Sequence, residues 1–174
     1  MNISLFLPDT ILLFQKLKLQ AESGIDQTDE ESFFAFPSVE SNSIAILVKH
    51  LGGNLRSRWV DFLTSDGEKS DRDRDSEFDI YENDTEESLM AFWEEGWNQL
   101  FSTLNTLKPE DLNKSVIIRG EKLSVLQAVL RSLSHTSLHV GQIVYLARQY
   151  AGDQWQTLSI ERGKSAEYIE KSNT

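Results

Sequence analysis

"SVLQAVLRSLSHTSLHVGQIVYLARQYAG", residues 124–152, decides the fold. Ser124 and Gln127, three apart, fit a capping box at a helix start. Val125, Val129, Leu133, Val140, Ile143, Val144 and Ala147 then recur at the three-and-four spacing of one helical face, and Gly152 supplies a stop. The same stretch carries His135 and His139, one turn apart, in a chain with only three histidines.

Three more segments show the same period. The second helix is expected to start at Ser41 or Asn42 and to bury Ile44, Leu47, Val48, Leu51, Leu55, Trp59 and Phe62, ending between Leu63 and Asp66. The third opens at Asp84 or Thr85, with Asp84 and Glu87 as an approximate capping box. It buries Leu89, Phe92, Trp93, Trp97, Leu100, Leu104 and Leu107 before Pro109 stops it. The first runs from about Pro8 to Gln20, with Leu12, Leu13, Leu17 and Leu19 as its apolar face, and is closed by Gly24 and the acidic "DQTDEES". The charged run at 65–88, "SDGEKSDRDRDSEFDIYENDTEES", reads as a long solvated loop. "KSVIIRGEK", 114–122, reads as one brief extended segment, and the tail from Trp155 as coil packed on the bundle. Four amphipathic helices imply an all-α bundle, in one domain spanning residues 1–174.

The bulk numbers exclude several function classes. A formal charge of -11 repels phosphate backbones, so nucleic acid and anionic membrane surfaces are poor partners. The absence of cysteine removes disulfides, thiolate metal sites and a protein thiol nucleophile. The N-terminal "MNISLFLPDTILLF" does not read as a signal peptide, and no apolar run reaches the roughly 20 residues of a membrane span, so a cytoplasmic protein is expected.

Residues four apart on a helix lie about 40° apart on one face, so His135 and His139 point the same way and can share one ion. His50 lies at the margin of the second helix's stripe. If those two helices pack side by side, the three rings converge, and three histidines plus water are the open ligand set of a catalytic metal site. The plain alternative, an incidental pair and an unrelated third histidine, stays open on spacing alone. Thr136 stands where a zinc protease carries its glutamate base, so peptide hydrolysis loses support.

A histidine in the second helix followed by H-x-x-x-H in the fourth resembles the DinB-like superfamily, the YfiT-like metal-dependent hydrolases. "SNSIAILVKHLGGNLRSRWVDFLTSDGEK", "RGEKLSVLQAVLRSLSHTSLHVGQIVYLA" and "LSIERGKS" are similar to one bacterial subfamily of that group, from about the first helix to Ser165. The resemblance implies a four-helix bundle with a long crossing connection. It also implies a metal triad of His50, His135 and His139, zinc or nickel as the ion, and a homodimer. Characterised relatives in that superfamily include thiol S-transferases using bacillithiol, mycothiol or glutathione, and a thiol-dependent isomerase. The implied function is therefore a divalent-metal-dependent enzyme, thiol S-transferase-like or hydrolase-like, acting on a small molecule with a low-molecular-weight thiol as a candidate cofactor. The competing reading is a non-enzymatic dimeric protein that binds a ligand or metal.

Around the triad, Asn54 shares the face of His50 and Gln142 follows His139 by three, so both are candidate supports. Arg56 and Arg58 are candidate carboxylate clamps, or surface residues paired with the acidic loop. Arg119, Arg162 and Lys164 are further candidate cations. Trp59, Trp93 and Trp97 read as core, and Gly52-Gly53 as either a close helix approach or tolerated drift.

Overall fold

The computed structural model describes residues 3–167. Four long helices, α1 (Phe6–Ile25), α3 (Ile44–Trp59), α4 (Glu86–Thr106) and α5 (Val125–Ala151), form an all-α bundle. A short α2 (Glu30–Phe34), a hairpin of β1 (Ser115–Ile118) and β2 (Glu121–Ser124) and several short 3-10 turns join them. α3 packs chiefly on α4 and α1 on α5, with α3 also meeting α5. No helix among the described residues is long and apolar enough to cross a membrane.

α3 is the central helix, with 14 of its 16 residues buried. Ser43 caps it by accepting from Ile46 N. The expected caps lie just outside, and Ser41 is engaged with Ser38 instead. The helix ends at Trp59, earlier than expected. Val60 turns extended, Asp61 takes a left-handed φ of 47°, and the Trp59 carbonyl accepts from Gln99 and Thr103 of α4. Phe62 remains in the core although it lies beyond the helix.

α4 begins at a capping box of Thr85 and Ser88. Asp84 is not the cap, because its carboxylate receives Lys49 Nζ at 2.7 Å and Tyr81 N at 2.9 Å. Trp93 and Trp97 are fully buried, and Phe14 meets Trp97 edge-on. The aromatic face of α4 therefore serves the core. The α3–α4 crossing is very close: a Cβ on Gly96 would lie 2.6 Å from the Gly52 carbonyl oxygen. Gly96 is thus required by packing, and a Cβ on Gly52 would press on Phe92 of α4 at 3.0 Å.

α1 differs from its expected reading. Its buried face is Leu7, Thr10, Phe14, Ala21, Gly24 and Ile25, while Leu12, Leu13 and Leu19 are exposed. Leu7, Phe14 and Ala21 keep their own seven-residue spacing, and the denser leucine run lies off that face. Gly24 does not end the helix; it seats against Ala147 of α5. The acidic segment after it holds α2, capped by Asp29 through Ser32 N and anchored by the buried Phe33.

The extended segment is a hairpin rather than a single strand. Val116 pairs with Leu123 and Ile118 with Glu121, so Arg119-Gly120 is a two-residue turn. Both turn residues have positive φ, 56° and 74°, as a type I′ turn requires. The Asp66 carboxylate accepts from both turn amides at 2.8 Å, tying the hairpin to the 65–88 connection. That connection is exposed only in part. A 3-10 turn at Asp75–Phe78 folds it back on α3 and buries Glu77. The start of the tail packs on the bundle as expected: Trp155 lies against the core and Gln156 exchanges two hydrogen bonds with Gln27, while the expectation for 168–174 lies outside the described residues.

Candidate metal centre

α3 carries His50 and α5 carries His135 and His139, and the packing of the two helices brings all three rings together. His50 Nε2 is 3.3 Å from His135 Nε2, and His139 Nε2 is 3.2 Å from the same atom. One nitrogen from each ring falls within 4.8 Å of the other two, and the three residues form a group that could hold a metal ion. Zn–N bonds of about 2.0–2.1 Å in a tetrahedron place ligand nitrogens about 3.3 Å apart, so these separations fit.

The hydrogen bonds around the rings argue for the same arrangement. His50 donates from Nδ1 to Glu77 Oε2 at 2.8 Å, and His139 donates from Nδ1 to Gln142 Oε1 at 2.8 Å. With both Nδ1 atoms protonated, both Nε2 atoms present lone pairs to the shared point. His135 Nε2 faces both and can donate to only one. Three such nitrogens gathered around one point are mutually unfavourable unless a cation stands between them. Buried His135 Nδ1 has no hydrogen-bond partner.

Burial favours the neutral, ligating form. Desolvation, reinforced by His139 and His50, lowers the His135 pKa to about 3. Desolvation also lowers that of His139. Burial acts to raise the Glu77 carboxyl, but the hydrogen bond from His50 and the Arg72 guanidinium outweigh it and hold the group below its ordinary value. Arg72 grips Glu77 with two bonds, Nε to Oε1 at 2.7 Å and Nη2 to Oε2 at 2.8 Å. The result is an Arg72–Glu77–His50 relay that fixes the ring and its tautomer, the usual support of a metal-binding histidine. Gly53 makes room for it: a Cβ there would lie 2.3 Å from Glu77 Oε1.

A cavity of about 200 Å³ opens beside His50 and His135 in the groove between α3 and α5. Asn54 and Arg58 of α3 line it, one and two turns beyond His50. Arg58 also pairs with Glu68 at 2.9 Å, so it is both cavity wall and loop clamp. Arg119 lines the cavity; Arg56, Arg162 and Lys164 do not. Gln142 supports His139 as its spacing suggested. The sequence reading missed Glu77 and Arg72. Nothing in a run as acidic as residues 65–88 distinguishes the one carboxylate that turns inward. The Phe78 ring, 4.8 Å from the His50 ring, marks where the segment touches the bundle.

An all-α bundle with a three-histidine group between two of its helices is the class that fold and site define. The chain belongs to the family described as "Protein of unknown function (DUF1572)", whose model matches residues 2–164 and which falls within the DinB/YfiT-like superfamily. No curated protein and no solved structure matches it.

Proposed function

We propose that the chain is a divalent-metal-dependent enzyme acting on a small molecule, thiol S-transferase-like or hydrolase-like, with His50, His135 and His139 as the metal ligands. The observation that carries this reading is the convergence of the three rings from two helices far apart in sequence, with His135 Nε2 at tetrahedral-edge spacing from both of the other Nε2 atoms and all three ligand atoms within 4.8 Å of one another. A divalent ion held there would supply Lewis acidity and would lower the pKa of a bound water or thiol. Glu77 and Arg72 hold His50 in the ligating tautomer, and Gln142 does the same for His139. Thr136 occupies the position where a glutamate base would serve a zinc protease, and it is fully buried, so no carboxylate base comes from that position. The cavity beside His50 and His135 gives a substrate its approach.

Titration of zinc or nickel into metal-stripped protein, prepared without a metal-binding tag, tests the site. One equivalent is expected to bind tightly, and His50→Ala is expected to abolish tight binding while helix content by circular dichroism is retained. Because His50 is 85 residues from His135, it has no reason to matter if the pair on α5 is incidental. A His50→Ala protein that binds one equivalent as tightly as the parent would remove the three-histidine site and the enzyme reading with it. Turnover assays with candidate thiols and water then separate transferase, hydrolase and non-catalytic binding.

A further inference from the structure

We propose that the cavity beside the histidines is an anion site that holds the carboxylate or phosphoryl group of a small substrate. The proposal deepens the metal-enzyme reading and rests on it for the location of the reacting group. The anion site itself is defined by the cavity walls.

The chain carries 28 acidic residues and a net charge of -11, yet no carboxylate lines this cavity. Four guanidiniums do: Arg58 from α3, Arg74 from the 65–88 connection, Arg119 from the hairpin turn and Arg131 from α5. They come from four separate segments of sequence and are brought to one place by the fold. Two carboxylates outside the lining pair with three of them. Glu68 takes Arg58 and Arg119, at 2.9 and 2.8 Å, and Glu121 takes Arg131 at 3.1 Å. Arg74 has no carboxylate within ion-pair distance among the described residues and lies over the Phe78 ring, 5.1 Å from its centroid. The count leaves positive charge facing the cavity in a protein whose field is otherwise negative.

The donor chemistry of the wall points the same way. A guanidinium offers donors alone. A wall that carries four of them and no carboxylate fits a ligand whose atoms accept, and an oxyanion is the strongest such ligand for arginine. At about 200 Å³ the cavity is smaller than the ~300–1,000 Å³ typical of drug-sized ligands, so the bound molecule is small. Its anionic end among the arginines would leave the other end beside His50 and His135.

Calorimetric titration of metal-stripped full-length protein with inorganic phosphate, with succinate and with neutral succinamide tests the anion site. Removing the metal first means a metal–anion bond cannot imitate the arginines. At least one anion is expected to bind saturably, with succinamide much weaker, and the phosphate-to-succinate comparison distinguishes a phosphoryl from a carboxylate site. Arg74→Gln/Arg131→Gln, which alters two exposed side chains, is expected to weaken that anion at least about tenfold, the loss of a charge-assisted hydrogen bond. No saturable binding of either anion, succinamide binding as tightly as succinate, or an unchanged affinity in the double variant would each overturn the proposal. Zinc titration of the same proteins reads the metal site separately: zinc binding without anion binding sinks this inference alone, and absent zinc binding sinks the metal reading alone.

Discussion

At the scale of single residues, the most informative side chain is Glu77, because it ties a histidine to a loop. Its carboxylate lies 2.8 Å from His50 Nδ1 and is held from behind by Arg72. A carboxylate behind a ligating imidazole raises its basicity and fixes its orientation, and loss of such a partner typically costs about 10–100-fold in metal affinity. Glu77→Gln keeps an acceptor of nearly the same shape but removes the charge. It is expected to weaken zinc or nickel binding by roughly that factor with little change in helix content. Metal titration with circular dichroism on the same sample checks it. Unchanged affinity would mean that Glu77 only anchors the loop. His139 relies on a neutral amide, Gln142, so Gln142→Ala is expected to cost less than Glu77→Gln in the same titration.

At the scale of elements, helix crossings set the site, and glycines set the crossings. Gly96 and Gly52 let α4 approach α3 to backbone contact. In Gly96→Ala the new methyl meets a carbonyl oxygen and Cα, which have no rotamer with which to yield. Overpacking of this kind costs about 1–3 kcal/mol. Gly141, in the interior of α5, has nothing within 4 Å of its added Cβ. Gly141→Ala is therefore expected to stabilise by up to about 1 kcal/mol through helix propensity alone. At roughly 2–4 °C per kcal/mol for a chain of this size, thermal melts should move in opposite directions for the two variants. A melt for Gly96→Ala at or above that of the parent would contradict the crossing. The elements also show where sequence reading reached its limit. α5 and its capping box, the α3 stripe and the α4 stripe were legible because one apolar face repeats by three and four over many turns. The convergence of His50 with the α5 pair was legible because three histidines in a chain leave few combinations. The face of α1 was misread because its buried set of Leu7, Phe14 and Ala21 is sparser than the exposed leucines beside it. The hairpin, α2 and the inward turn of Glu77 were missed. Each is short and held by contacts distant in sequence, Asp66 to the Arg119-Gly120 turn, Tyr150 to the Ala35 carbonyl at the end of α2 and His50 to Glu77, which no local period records.

At the scale of the whole molecule, a site built from neutral imidazoles and ionised carboxylates makes the fold sensitive to acid. Folded His135 titrates at about 3, well below the ~6.5 of an unfolded histidine, because burial and its two neighbours oppose its charge. His139 is shifted the same way. Between these limits the unfolded chain binds protons that the folded chain refuses, so stability falls as pH drops below about 6.5. A second stage follows from the carboxylates. Burial acts to raise Glu68, but hydrogen bonds from Arg119 and Arg58 bring it down to about 2, and Glu77 is also held below its ordinary value. Their contribution is full above the unfolded carboxylate range of about 4.3 and is lost as pH falls towards 2. Metal-stripped protein is therefore expected to melt at steadily lower temperature from pH 7 to pH 5, before carboxylates begin to protonate. His135→Gln, which cannot take up a proton, is expected to make that upper stage shallower, His139 keeping its share, and to leave the lower one in place. Zinc is expected to raise the parent's melting temperature throughout pH 7 to 5, because burial keeps folded His135 free of protons there, and to lose its effect only as pH falls towards about 3, where that ring takes up a proton. Melts of parent and His135→Gln across that range, with and without zinc, decide it: a parent curve flat between pH 7 and 5 would show that His135 and His139 titrate no differently folded than unfolded.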